Sequence, residues 1–515
     1  MIEPADTTRR MPVPSPFRRW LAPPLTAFVF LIQPVFALIR PARQLQDPGT
    51  GWHLATGRYI LATHAIPHQD PFSFTAGHPL IAYSWLFDTA GALLERLGGL
   101  PLYATACMLL YAFVPVLLYR RMVRMGAAII PALVLTFLAY FVLMSHALAR
   151  PHVVTYLLFA FFLERMDDVH AGRRPAWALW MLPPLATLWC NVHGGFVAGL
   201  ALAGVFSAVT AVRALLTRDP LAGREARIFA VLLAVMILAT AVNPSGFGLH
   251  QDIQHHLAMS TMSYFDEFRS PDFQSHRAPI VFFEVLILSA FLVAALVRER
   301  LAWLELALLV FFLHEALHSV RHMNLFAIVA APIIAREISV PLETRWSAFA
   351  ARWRQIAREQ AALRSALLYV PALCALFVVL AVEGVLGFPR TLDDLQLTRG
   401  AAAFIAAHEE RFARPFNTDA LGGSLIYRFW PDVRVFIDDR FNVYSDDFIA
   451  SYLTVLSAKQ GWRDVLMRYD IDAAVVDAAT PCATLLRDSP EWELVFDDDR
   501  NVIFFRKSGS SVAHR

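Results

Sequence analysis

QDPGTGWHLATGRYILATHAIPHQDPFSFTAGHPLIAYSWLFDTAGALLERL, residues 46–97, is the stretch on which the reading of this chain turns. It lies between two apolar runs, 21–39 and 101–119, each long enough to cross a hydrocarbon core of roughly 30 Å as a helix. Within it stand two Asp-Pro steps, Asp47-Pro48 and Asp70-Pro71, four histidines, and two helix-like pieces too polar to span. Acids, imidazoles and half-buried helices gathered in one loop outside the membrane point to chemistry at the membrane surface.

The rest of the chain sets that loop in a membrane frame. Of 515 residues, 57% are hydrophobic and 17% charged, with mean hydropathy +0.48, a composition that excludes an ordinary soluble protein. Eleven apolar stretches read as spans: 21–39, 101–119, 127–145, 153–163, 176–190, 196–216, 228–242, 280–297, 301–317, 323–335 and 366–387. Backbone polar groups must be satisfied internally in lipid, so helices are expected, with the short stretches 153–163, 176–190 and 323–335 open to being longer or re-entrant. With the N-terminus inside, alternate loops hold 22 arginines on the cytoplasmic side, Arg9, Arg10, Arg298 and Arg300 among them. The opposite loops before residue 389 hold eight, so the basic bias fixes the orientation. The odd span number then puts the C-terminal domain outside. The first span resembles an uncleaved signal anchor.

The expected fold is mostly α: a polytopic transmembrane helical bundle with a small extracytoplasmic α/β domain at its C-terminal end. A cytoplasmic tail covers 1–20, the membrane domain 21–388 with its large outer loop 41–100, and the outer domain 389–515. Strand-like runs at 433–437, 473–476, 494–496 and 502–505 alternate with helical patterns near 392–410, 446–458 and 462–469 in that outer domain. A basic segment, 347–364, reads as a helix on the inner membrane surface, drawn by anionic lipid. Net charge +2 argues against a nucleic-acid partner. Cys107, Cys190 and Cys374 fall in spans and Cys482 is alone outside, so no internal disulfide is expected in the outer domain.

Fourteen of the seventeen histidines map to outer loops or outer span ends; His170 is cytoplasmic, and His408 and His514 lie in the outer domain. Interfacial polarity accounts for part of this, a polar outer cavity for the rest, with His53, His152 and His193 as its candidate lining. Asp47 is the first candidate catalytic residue. Pro48 favours an extended residue before it, Gly49 and Gly51 allow close bending, and a helix over 52–63 would turn Trp52, Leu54, Tyr59 and Ile60 to the bilayer surface. A carboxylate at that depth is partly desolvated, and its raised pKa suits a base. Asp70 is a second catalytic candidate, although Asp-Pro also starts turns. Arg150 and Arg321 stand at outer span ends, where an arginine is costly unless it meets an anion, and lipid phosphate is a natural one. Asp266 and Glu267 form an acidic pair; facing Asp47, they would bind a divalent metal with it or orient an acceptor. His314, Glu315 and His318 match H-E-x-x-H, in which two histidines bind zinc and the glutamate activates water. No acidic ligand on a neighbouring span completes that set.

QDPGTGWHLATGRYIL, IPHQDPFSFT and SWLFD resemble the opening of a large group of bacterial multi-span proteins placed with the GT-C superfamily of glycosyltransferases. LARPHVVT, LWCNVHGGF, VNPSG, SVRHMNLFAI and RVFIDDRFNVYSDDF follow in the same order. The resemblance implies a multi-pass protein of the bacterial cytoplasmic membrane with an outer-face site. It implies a polyprenyl-phosphate-linked sugar as donor, a lipid, glycan or protein acceptor, and inversion at the anomeric centre. The acid after the first span, here Asp47, is implied as the base. Gly49 stands where a second acid is common, which leaves the cofactor open, a divalent metal being one option. A transporter or flippase of lipid-linked or anionic solutes is the competing class, and an intramembrane metalloprotease a third; transporters place polar groups at mid-membrane and show inverted repeats, which this chain does not.

Overall fold

A computed structural model describes residues 16–296 and 301–507; Arg9, Arg10, Arg298, Arg300, His514 and most of the expected cytoplasmic tail lie outside the described residues. Helices α1 (Pro16–Leu21) and α2 (Leu25–Ile39) lead into the outer loop, which contains α3 (Gly49–Thr63). The bundle continues through α4 (Trp85–Arg124), α5 (Ile129–Leu143), α6 (His152–His170), α7 (Leu182–Cys190), α8 (Phe196–Thr217) and α9 (Pro220–Ala239). After the short outer helix α10 (Gly248–Ala258) come α11 (Ala278–Leu296), α12 (Trp303–His318), α13 (Met323–Arg345), α14 (Ser347–Ala362) and α15 (Ala366–Val382). Each of the eleven expected spans coincides with helix. Six helices among the described residues, rather than eleven, have the length and apolar composition to cross a membrane. The others are short, as α7, α12 and α15 are, or carry charged turns, as α6 does at Glu164–Asp168 and α9 at Arg224–Arg227.

The long helix α4 joins both settings. Gly98 and Gly99 interrupt it, Gly99 at φ 70°, a left-handed conformation that glycine adopts without steric cost. The polar piece before this break belongs to the outer loop, and the apolar piece after it enters the bundle.

The C-terminal domain runs α16 (Arg399–Ala407), β1 (Pro415–Asn417), α17 (Asp419–Phe429), α18 (Asp446–Leu456), α19 (Trp462–Arg468), β2 (Ala473–Asp477), α20 (Pro481–Asp488), β3 (Trp492–Asp497) and β4 (Asn501–Arg506). The sheet order is β1-β2-β4-β3, with β1 and β2 parallel and the other pairs antiparallel. The expected strand at 433–437 is not in this sheet. Its extended backbone pairs instead with the outer loop: Val435 N–H donates to the Phe72 carbonyl at 3.0 Å, and Phe74 N–H to the Val435 carbonyl at 3.2 Å.

A second correction concerns α3. Trp52, Leu54 and Ile60 are buried instead of facing a bilayer. The helix is wedged between α4 and α17 at glycine contacts. A β-carbon on Gly57 would collide with the Asp88 carbonyl of α4, one on Gly51 with the Gly423 carbonyl of α17, and one on Gly423 with the Pro48 carbonyl. Two backbones therefore touch directly, and the C-terminal domain is clamped to the loop carrying Asp47. Replacing Gly423 by Ala forces a backbone shift, for which overpacking costs of about 1–3 kcal/mol are typical. The expected result is a lower unfolding temperature in detergent and faster proteolytic release of the C-terminal domain; unchanged behaviour on both measures would show that the contact tolerates a methyl group.

Candidate functional site

Asp47 follows a short helical turn (Pro41–Leu45) and precedes α3. Its side chain turns inward and is buried. Oδ1 accepts from the Gly49 backbone N–H at 2.8 Å, and Oδ2 accepts from Arg150 Nη1, also at 2.8 Å. Arg150 comes from the loop before α6. The same Nη1 donates to Glu267 Oε1 at 2.9 Å, and Nη2 stands 3.8 Å from Asp439 Oδ2 of the C-terminal domain. Asp439 Oδ1 accepts from the Trp52 indole at 2.7 Å. Glu267 then reaches Arg321, Oε2 to Nε at 3.6 Å. The Arg321 guanidinium also lies over the Phe268 ring, 4.7 Å from its centroid.

The electrostatics follow from three carboxylates sharing two guanidinium groups under cover. Burial raises the Asp47 pKa above the usual carboxylate range; Arg150 pulls it down and Glu267 pushes it up again, leaving it raised. Burial also pushes Asp439 up, to about 8, with Arg150 opposing and Asp47 and Asp438 adding to the rise. Glu267 goes the other way. Burial would raise it, but Arg150 and Arg321 outweigh that and hold it at about 2. Burial disfavours the Arg150 charge, yet Asp47, Glu267 and Asp439 more than compensate and keep it charged.

Arg321 Nη2 donates to His152 Nε2 at 3.1 Å. A guanidinium only donates, so the His152 proton sits on Nδ1, which has no hydrogen-bond partner among the described residues. His193 lies against it at a tilt, ring centroids 4.2 Å apart. Its Nδ1 accepts from Gly195 N–H at 3.0 Å and lies 2.7 Å from the Thr155 hydroxyl, whose oxygen is already taken by the Trp189 indole. His193 therefore carries its proton on Nε2, and burial, with Arg321 and Arg150, pushes its pKa down to about 3. His53 is held by Asp88, Nδ1 to Oδ1 at 2.6 Å, with the Ser84 hydroxyl on the other carboxylate oxygen. Burial first, then Arg150, keeps that imidazole neutral.

Asp70 takes a different part. It accepts from Arg440 Nη1 at 2.6 Å and from Ser73 N–H at 2.8 Å. Arg440 also grips Asp438 through Nε and Nη2, at 2.8 and 2.6 Å, and faces the rings of Phe72 and Trp52. This is a fully covered tie between the outer loop and the C-terminal domain, adjoining the Asp47 cluster through Trp52. Asp266 points to solvent, 85% exposed beside Arg269, so the acidic pair is split. His314 and His318 pack edge to face at the end of α12, and Glu315 lies 3.6 Å from His322. No group of three or more His, Cys, Asp or Glu that could hold a metal occurs among the described residues. Between Asp47 and Glu267 the bridging cation is the Arg150 guanidinium. Asp439 and Trp52 are the members that sequence reasoning missed, although IDDRFNVY and the first-loop tryptophan were both in view.

No family model matches the chain, and no curated protein matches it in sequence. Among solved structures it is similar to the oligosaccharyltransferase of Archaeoglobus fulgidus in the apo form, with TM-score 0.53 and 12% identity over 88% of this chain and 69% of that one. AglB from the same organism, in complex with an inhibitory peptide and a dolichol-phosphate, gives TM-score 0.54 and 11% identity over 88% and 68%. ArnT from Cupriavidus metallidurans in the apo state aligns at TM-score 0.47 and 14% identity over 93% and 97%. The chain shares the fold of the archaeal oligosaccharyltransferase. At these identities the likeness is one of architecture.

Removing one partner of a covered ion pair costs about 3–5 kcal/mol, because it strands the remaining charge. Arg440→Ala strands both Asp70 and Asp438 and is expected to lower unfolding free energy by at least that much in detergent. A loss below about 1 kcal/mol, the scale of an exposed pair, would contradict the burial of this tie.

Proposed function

We propose that the chain is an inverting glycosyltransferase that moves a sugar from a polyprenyl-phosphate carrier to an acceptor at the outer face of the bacterial cytoplasmic membrane. The observation that carries this reading is the contact of Asp47 with Arg150 at 2.8 Å, linked through Glu267 to Arg321, beside an apolar bundle of GT-C fold. A carboxylate and two guanidinium groups are what such a transfer needs at its reacting centre. The archaeal oligosaccharyltransferase that shares the fold was solved with a lipid-borne phosphate and a peptide; by likeness, this chain takes a lipid-linked donor and a lipid, glycan or protein acceptor. The arginine bias of the loops supports an inside N-terminus and an outside C-terminal domain.

Arg150 and Arg321 match phosphate oxygens in geometry and charge. The carrier's apolar chain stays among the helices. The carboxylates around Arg150 take the proton of the acceptor hydroxyl. The acceptor oxygen attacks the anomeric carbon from the side opposite the phosphate, which leaves as an anion stabilised by the two arginines. His152 and His193, both neutral with one N–H each, supply donors and no competing positive charge. Asp70 secures the outer domain above the site.

Purified protein supplied with a panel of polyprenyl-phosphate sugars is expected to transfer at least one of them. Asp47→Asn is expected to remain folded and lose turnover about 100-fold or more, the scale of a misplaced reacting group. Equal turnover in both proteins would remove Asp47 from the reaction. Loss of a hydrogen bond to a charged group costs about 1.5–3 kcal/mol, so Arg321→Ala is expected to raise the donor KM at least about tenfold with a smaller change in kcat. An unchanged KM would take the phosphate role from Arg321.

A further inference from the structure

We infer that Asp439, delivered by the C-terminal domain, is the carboxylate that accepts the acceptor hydroxyl proton, while Asp47 holds Arg150 in register behind it; the inference rests on the glycosyltransferase reading above. The two carboxylates converge on Gly49. A β-carbon there would meet Asp439 Oδ2 and Asp47 Oδ1, both at 2.9 Å, so only glycine lets the two acids approach this closely.

The two acids differ in what they have left to offer. Asp47 has each oxygen engaged, one by the Gly49 N–H and one by Arg150, and its side chain is 3% exposed. Asp439 is held at Oδ1 by the Trp52 indole, which orients it, while Oδ2 faces Arg150 only at 3.8 Å. That is too long for a hydrogen bond. The Asp439 side chain is 14% exposed, against 3% for Asp47. Asp438, its neighbour in sequence, is excluded: Arg440 and the Tyr444 hydroxyl occupy its oxygens, and it is fully covered. Consecutive aspartates thus divide the work, one tying the domains together and one turned into the site.

The charges that face Asp439 are Arg150 from the loop before α6, Asp47 from the outer loop, and Asp438 and Arg440 from its own segment, with Glu267 drawing on Arg150 from the loop before α11. Burial leads, and Asp47 and Asp438 reinforce it against Arg150, so the group titrates near 8. A base with its pKa close to working pH removes a proton far more readily than one near 4. In the step itself the acceptor O–H bond breaks and its proton passes to Asp439 Oδ2. The acceptor oxygen forms the new bond to the anomeric carbon. The bond from that carbon to the phosphate oxygen breaks, and its electron pair leaves with the lipid phosphate.

The test is the pH profile of the full-length protein with a donor that the wild type uses. A base must be ionised, so wild-type kcat/KM is expected to rise with pH through about 8. Asp439→Asn is expected to lower kcat about 100-fold or more, to lose that rising limb, and to leave the donor KM within about threefold. Asp439→Glu is expected to recover part of the rate together with the limb, and serves if the Asn variant fails to fold. Asp47→Asn is expected to raise the donor KM as well, because Arg150 loses its anchor. Turnover within about threefold of wild type in Asp439→Asn, or a rising limb that survives in it, would overturn the inference and leave the glycosyltransferase reading standing. Absence of transfer by the wild type from every donor would overturn both.

Discussion

The Arg150 guanidinium is the hub on which the site depends. It gathers carboxylates from three separate parts of the chain: Asp47 from the outer loop, Glu267 from the loop before α11 and Asp439 from the C-terminal domain. With Arg321 included, the cluster holds two fixed positive charges and three acids, one acid in excess. Burial pushes Asp439 and Asp47 upward and the surplus acid adds to that rise, while Glu267, between both arginines, is held down. The electrostatic imbalance and the topology have the same origin, since each acid arrives on a different element.

Backbone contact makes that convergence exact enough to matter. Gly51 and Gly423 let α3 and α17 meet without side chains between them, and the Asp70–Arg440–Asp438 tie closes the same interface a short distance away. The loop at 259–268 is fastened too: Asp446 accepts from the Ser260 hydroxyl at 2.7 Å and also from that of Thr261, and Phe265 stacks on Phe441. The C-terminal domain is therefore a wall of the site, fixed on two sides.

Much of the architecture was legible because it is written in long-range hydrophobic periodicity. Apolar runs mark the bundle helices, and the shift to an acidic, strand-and-helix composition marks the outer domain. Span number was less legible, because helices such as α6 bury charged turns among neighbours, and composition alone cannot tell that from a membrane crossing. β1 was missed because three residues carry no period. The 433–437 run was misread because its apolar residues pack against the outer loop, a pairing between segments some 360 residues apart. In the site, Asp47, Arg150, Arg321, His152 and His193 were found from their place at outer span ends. Asp439 was not, because an Asp-Asp-Arg triplet looks like one salt-bridge cluster, and only the fold reveals that the first and third members pair while the second turns away.

Stability does not explain the Asp47–Arg150–Asp439 cluster. Covered ion pairs repay their desolvation only when every partner is satisfied. The Asp70–Arg440–Asp438 tie comes close to that standard, with matched hydrogen bonds on each group. The neighbouring cluster does not: it carries an acid in excess, Arg150 Nε and His152 Nδ1 are covered donors without partners among the described residues, and the Arg150 Nη2 donor stands 3.8 Å from Asp439 Oδ2, beyond hydrogen-bond distance. Orphaned polar atoms of this kind are scarce in folded proteins and call for a reason. The two clusters sit side by side and share Trp52, so they experience similar burial. The contrast between them separates a cluster whose polar groups are matched from one whose groups are left partly unmatched.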